Sequence, residues 1–212
     1  MIPNVRLVLH SRAAHWVAVT TLVMCAVAAV TGPRSLEIDL SARFPPTKLP
    51  VVELCTILSA TLLAILMRPR LWEWDRIAAG GHRPTRPRAV AAVAAGAGIM
   101  LPVLCVPAVV PWLPAETSWG WVLANALIMS ATVQLLTPLL SPLAAGGLAV
   151  LAWLSCGLVL NLAPQVWLPV STHRDPDGNW TLVTVLTIAA IVLHARTCGR
   201  TAWAHRVFGK EQ

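Results

Sequence analysis

Arg68-Pro-Arg-Leu-Trp-Glu-Trp-Asp-Arg-Ile-Ala-Ala-Gly-Gly-His-Arg-Pro-Thr-Arg-Pro-Arg88 lies between two long apolar runs and holds six of the sixteen basic residues. No other part of the chain is both long and strongly charged. Around it lie six hydrophobic segments, so this loop decides which way the chain sits in a bilayer. With 57% hydrophobic and 12% charged residues, the chain departs from soluble globules, where about a quarter of residues are charged. Apolar stretches of about 18 or more residues are the mark of membrane-crossing helices. The expected fold is therefore all-α, a single transmembrane domain over residues 1–212 with six spans and short loops.

Upstream, residues 1–12 alternate apolar and basic side chains and read as an interfacial helix. The first span is expected over 13–31, closed by Gly32-Pro33. Its basic start and Ala26-Val-Ala28 also resemble a secretory signal. The apolar run is longer than a usual signal core and is read as a retained span. A polar loop with Glu37, Asp39, Arg43 and Pro45-Pro46 leads to a second span from Pro50 to about Met67. Beyond the basic loop, a third span runs from 89 to 112. Its first half offers small residues four apart (Ala91/Ala95, Ala94/Gly98), which allow close helix approach. Its second half carries Pro102, Pro107 and Pro111, which remove backbone donors and predict a kink or break.

Spans four (118–139) and five (143–162) are separated only by Leu140-Ser-Pro142 and predict a tight antiparallel hairpin. The segment 163–179 holds Trp167 and the turn sequence Asp175-Pro-Asp-Gly178. Span six runs from Trp180 to about Ala195, and 196–212 is a basic tail.

Charge gives the orientation. With the N-terminus inside, twelve basic residues are cytoplasmic and four (Arg34, Arg43, Lys48, Arg174) are outside, the bias expected of a bacterial cytoplasmic-membrane protein. Arginine outnumbers lysine fourteen to two, a hint of a GC-rich bacterial genome. The net charge of +7 flanks apolar spans and fits anionic lipid rather than nucleic acid.

No G-x-x-x-x-G-K-[ST], H-E-x-x-H or G-x-S-x-G motif occurs, so the chain is expected not to be an enzyme. Leu71 to Gly81 reads as a short helix with a glycine cap. Leu71, Trp72, Trp74, Asp75 and Arg76 are candidates for docking a partner, since Trp and Arg are frequent interface hot spots. The other reading of the same residues is a helix resting at the lipid boundary.

Within the spans the candidate polar residues are Glu53, Asn125, Gln134, Asn161 and His194. Glu53 is the only acid inside a span. It reads either as a functional contact or as a first-turn carboxylate favoured by the helix dipole. Asn125, Gln134 and Asn161 read as helix–helix glue or as lining for a translocation path. His15 and His194 are weighed as haem ligands against boundary histidines, and the latter is preferred. Asp175, Asp177 and Asn179 form a turn rather than a calcium loop. Cys25, Cys55, Cys105, Cys156 and Cys198 form no C-x-x-C pair and read as apolar fillers. No metal or cofactor is expected.

The amphipathic start, six spans, charged loop between spans two and three and outer segment before span six together resemble the membrane subunit of an ABC-2-type ABC transporter. The run Trp72-Glu-Trp-Asp-Arg76 and its ending Arg83-Pro-Thr-Arg-Pro-Arg88 are similar to the loop of small actinobacterial members. The resemblance implies a connecting helix at 1–12, a coupling helix at 71–79 and an ordered outer segment at 163–179. It further implies a homo- or heterodimer of membrane subunits with a separate ATP-binding subunit on the loop. The tight turn at 140–142 and the proline-rich third span depart from that pattern. The alternative is a non-transporting scaffold or accessory subunit of a larger membrane complex. A secondary carrier or a redox enzyme is a more distant reading.

Overall fold

The computed structural model describes residues 14–32, 34–40, 46–67, 85–112, 119–166, 168–170 and 178–198. The expected interfacial helix at 1–12, the docking residues Leu71, Trp72, Trp74, Asp75 and Arg76, the turn at 175–177 and the tail beyond Cys198 lie outside them.

The described chain is mostly helical. Helix α1 spans Ala14–Thr31 and leads into a small antiparallel hairpin of β1 (Ser35–Ile38) and β2 (Thr47–Pro50). Then come α2 (Val51–Leu66), α3 (Thr85–Val103), the short α4 (Cys105–Val109) with a 3-10 turn at Val110–Trp112, α5 (Trp119–Leu136), α6 (Pro142–Leu162) and α7 (Trp180–Thr197). Three helical stretches, Arg88–Val109, Pro142–Leu162 and Trp180–Thr197, are long and apolar enough to cross a membrane. Three more, His15–Thr31, Val51–Leu66 and Gly120–Leu136, are apolar but shorter. At 1.5 Å per residue the 16 residues of α2 reach about 24 Å, against a hydrocarbon core of about 30 Å.

Local chemistry explains the boundaries. Ser141 caps α6 by accepting a hydrogen bond from the Ala144 amide at 3.2 Å, with Pro142 at the first helical position. Asn179 caps α7 by accepting from the Leu182 amide at 3.0 Å. Helix α7 ends at Cys198, whose φ of 52° is left-handed and whose amide donates to the His194 carbonyl. The proline-rich third segment is broken as its sequence predicts. Helix α3 carries Pro102 one residue before its end, and the chain tightens at Leu104, whose amide bonds the Leu101 carbonyl at 3.1 Å. Pro107 then sits inside α4 without a donor to offer.

The stretch expected to be a polar loop before α2 is instead partly a hairpin. Its register pairs Leu36 with Leu49 and Glu37 with Lys48. A Lys48–Glu37 ion pair at 3.3 Å is exposed and contributes little. What holds the hairpin is burial: Thr47 and Leu49 point inward, and Leu49 fills the notch left by Gly157 on α6.

Helices α2 and α5 form the centre. The first packs against α1, α3, α5 and α6, and the second against α2, α3, α6 and α7. Alanines line the interior at 60, 91, 95, 124, 126, 131, 145, 149 and 190, whereas Leu22, Val30, Val93, Leu143, Leu151, Val185 and Ile188 face outward. The buried stripe Ala91, Ala95, Gly98 and Ile99 on α3 follows the helical repeat.

Candidate functional site

Glu53 stands at the third position of α2, behind the N-cap Pro50. The dipole argument accounts for a carboxylate there. It does not account for where the side chain goes, since both of its hydrogen bonds come from other helices. Asn125 of α5 donates from Nδ2 to Oε1 at 2.8 Å, and Trp153 of α6 donates from Nε1 to Oε2 at 2.7 Å. Glu53 is 1% exposed, and Asn125 and Trp153 are 2% each. A single carboxylate thereby ties three helices, and each donor meets an acceptor in a place no water reaches. Among the described residues no cation pairs with it.

The other expected intramembrane residues form two further nodes. His194 bonds through Nε2 to the Gln134 carbonyl at 2.8 Å. A carbonyl only accepts, so Nε2 carries the proton. Gln134 belongs to the last turn of α5, where carbonyls lack helical partners, and His194 supplies one from α7. The Gln134 side chain crosses the bundle to donate to the Ala60 carbonyl at 3.4 Å, and it lies where a Cβ on Gly98 would be. Asn161 donates to the Ile38 carbonyl and accepts from the Leu40 amide, both at 3.0 Å. It acts on the hairpin as a neighbouring strand would. The engagement of His194 Nε2 with Gln134 takes that nitrogen out of any haem-ligand role.

Threonines dispose of their hydroxyls locally. Thr21, Thr31, Thr56, Thr61, Thr132, Thr137, Thr184 and Thr197 each donate to the carbonyl four residues back, at 2.7–2.9 Å. The hydroxyls of Ser59, Ser130 and Thr187 are buried with no partner.

Sequence reasoning singled out Glu53 and Asn125 but not their contact, and it passed over Trp153. The signal for Trp153 was weak: it is a tryptophan in mid-span, away from either boundary, where its N–H has to find an acceptor. A second omission concerns sulfur. Cys55 and Cys105 are buried in one apolar cluster with Met24, and Cys25 packs against it. Among the described residues no group of three or more His, Cys, Asp or Glu is arranged to hold a metal ion.

No protein-family model, curated protein or solved structure matches the chain.

Proposed function

We propose that the chain is a six-span membrane protein, both termini and the 68–88 loop being cytoplasmic, and that it works as the membrane-embedded subunit of a transporter. A separate ATPase, in the manner of ABC-2 systems, docks on Leu71 to Arg76 and moves the helices through that loop. The observation that carries the membrane part is the apolar outer surface around a core that encloses polar side chains. Leucine, valine and isoleucine cover the outside, while a carboxylate, amides and a histidine lie in the interior among alanines and further aliphatic side chains. In water the outside would be costly, and in hydrocarbon it is the favoured surface. Support for the docking part comes from the composition of the loop, with two tryptophans among charged residues, and from its place between the second and third apolar helices.

One observation favours a second reading, a scaffold or accessory subunit that transports nothing. Both carboxylate oxygens of Glu53 are bonded, one by Asn125 and one by Trp153, and at Gly146 helix α6 lies directly on Thr61 of α2. Such an interior favours a fixed bundle over a moving one.

Purification in mild detergent separates the two. The transporter reading expects an ATPase to co-purify and to be lost when Trp74→Ala and Asp75→Arg are combined. Association that survives both changes removes the docking assignment. A stable complex with another membrane protein and no ATPase establishes the scaffold.

A further inference from the structure

The two partners of Glu53 differ in what they can offer a carboxyl group. The indole of Trp153 only donates, whereas the amide of Asn125 carries a donor and an acceptor on one carbon. Among the described residues Glu53 is the partner of that amide, at 2.8 Å. The ionised form of a carboxyl buried to 1% exposure is costly without compensation. Here the compensation consists of neutral groups, the first turn of α2 and the N–H donors of Asn125 and Trp153.

Ionisable groups on the elements packed against α2 are turned elsewhere. Lys48 of β2 is exposed and pairs with Glu37, and Cys55 of α2 itself lies 3.6 Å from the Thr31 hydroxyl of α1. Cys25 of α1 and Cys105 of α4 belong to the apolar cluster around Cys55. Helix α5 carries no ionisable side chain, and α6 carries only Cys156. His15, Arg86 and Arg88 stand at the ends of α1 and α3 remote from Glu53.

We propose that Glu53 is a proton-binding site whose charged and neutral forms are both hydrogen-bonded, the Asn125 amide turning over between them. In the charged form Asn125 Nδ2 donates to Oε1, as the structure records. When a proton binds Oε1, the turned amide presents Oδ1 and accepts it, while Trp153 continues to donate to Oε2. The helices need not move. A hard metal cation does not suit the same place, because it requires a shell of oxygens and both neighbours present N–H groups. Glu53 stands in the first turn of α2, beside the hairpin, so the proton arrives by local opening at that helix end. This assignment is independent of what the 68–88 loop binds.

The test is infrared spectroscopy of the purified full-length chain in detergent, across the pH range in which it stays folded. The signal is the difference between the unmodified protein and Glu53→Gln, which keeps the shape and removes the titrating group. The expected result is one carboxyl per chain passing reversibly between its carboxylate and carboxylic-acid bands. The bands of one side-chain amide, missing from Asn125→Leu, should change at the same midpoint. A second readout leaves Glu53 in place. In the unmodified protein carrying isotope-labelled tryptophan, the indole N–H resonance that Trp153→Phe lacks should move with that midpoint. A tie that only holds helices together gives constant signals. A carboxylate at every pH, an acid at every pH, an amide indifferent to the titration, or a fixed Trp153 resonance would each overturn the proposal.

Discussion

At the scale of single residues, the asymmetry of buried hydrogen bonds governs what substitutions do. Trp153→Phe keeps the ring's bulk but strips the donor from Glu53 Oε2, and an orphaned buried acceptor costs about 1–3 kcal/mol, more when charged. Glu53→Ala orphans two donors at once and opens a cavity, so it should be the worse of the two. Replacing all three polar partners together (Glu53→Leu, Asn125→Leu, Trp153→Phe) should recover much of that loss, because no unpaired group remains. Thermal unfolding in detergent orders the three variants. A triple variant less stable than Glu53→Ala would defeat the account of the node as a structural tie. If the triple variant folds but the assembled complex loses its activity, the carboxylate has a role beyond holding helices. The unpartnered hydroxyls run the opposite way: Ser59→Ala and Ser130→Ala remove a buried group with nothing to bond and should leave the melting temperature equal or higher. A drop in either would mean that the hydroxyl has a partner after all.

At the scale of elements, α6 provides an internal control in two adjacent glycines. A Cβ at Gly146 would run into Thr61, whose contacting atoms sit close to the α2 backbone, while a Cβ at Gly147 would meet nothing within 4 Å. Gly146→Ala should therefore push α6 off α2 and destabilise. Gly147→Ala should be neutral or gain up to about 1 kcal/mol, the difference between glycine and alanine inside a helix. Equal melting temperatures for the two variants would contradict the close approach of α6 and α2. Elements are also where the sequence was most legible. Hydrophobic runs placed six apolar helices within a few residues of their ends, and Pro102 and Pro107 announced the break at Leu104. The hairpin was not legible. Its strands have four residues each, too few for an alternating pattern to stand out, and its supports, Gly157 and Asn161, lie more than a hundred residues downstream. Separation along the chain likewise hid the contact of Glu53 with Trp153, a hundred residues apart, and the gathering of Cys25, Cys55 and Cys105 around one apolar cluster. Residue types are visible in a sequence, but long-range adjacency between helices that are apolar on every side is not, since no amphipathic face says which way each one turns.

For the whole molecule, the apolar helices and the loops between them must agree on a single topology. On the proposed reading all six apolar helices cross the bilayer in alternating directions, and an even number of crossings returns the chain to its starting side. Six crossings put position 80, after the second, and position 205, after the sixth, in the same compartment, with the β1–β2 hairpin opposite. Basic residues argue for the cytoplasm as the shared side, twelve against four. Each contributes about 1 kcal/mol near anionic lipid, so the imbalance far exceeds thermal energy and should not be reversed by moving one or two arginines. The weak point of the arithmetic is α2, which is short for the hydrocarbon core and is flanked by Pro50 on one side and the basic loop on the other. Its ten buried positions face protein on nearly all sides, so it can cross in a locally thinned layer where an isolated helix of its length would sit poorly. Single cysteines introduced at 80, 205 and 37 in a background without the native thiols read out the result with a membrane-impermeant maleimide on intact cells. Labelling is expected at 37 alone. Labelling at 80 but not at 205 would mean that the crossings do not number six, and the proposed ATPase seat would then be on the wrong side of the membrane.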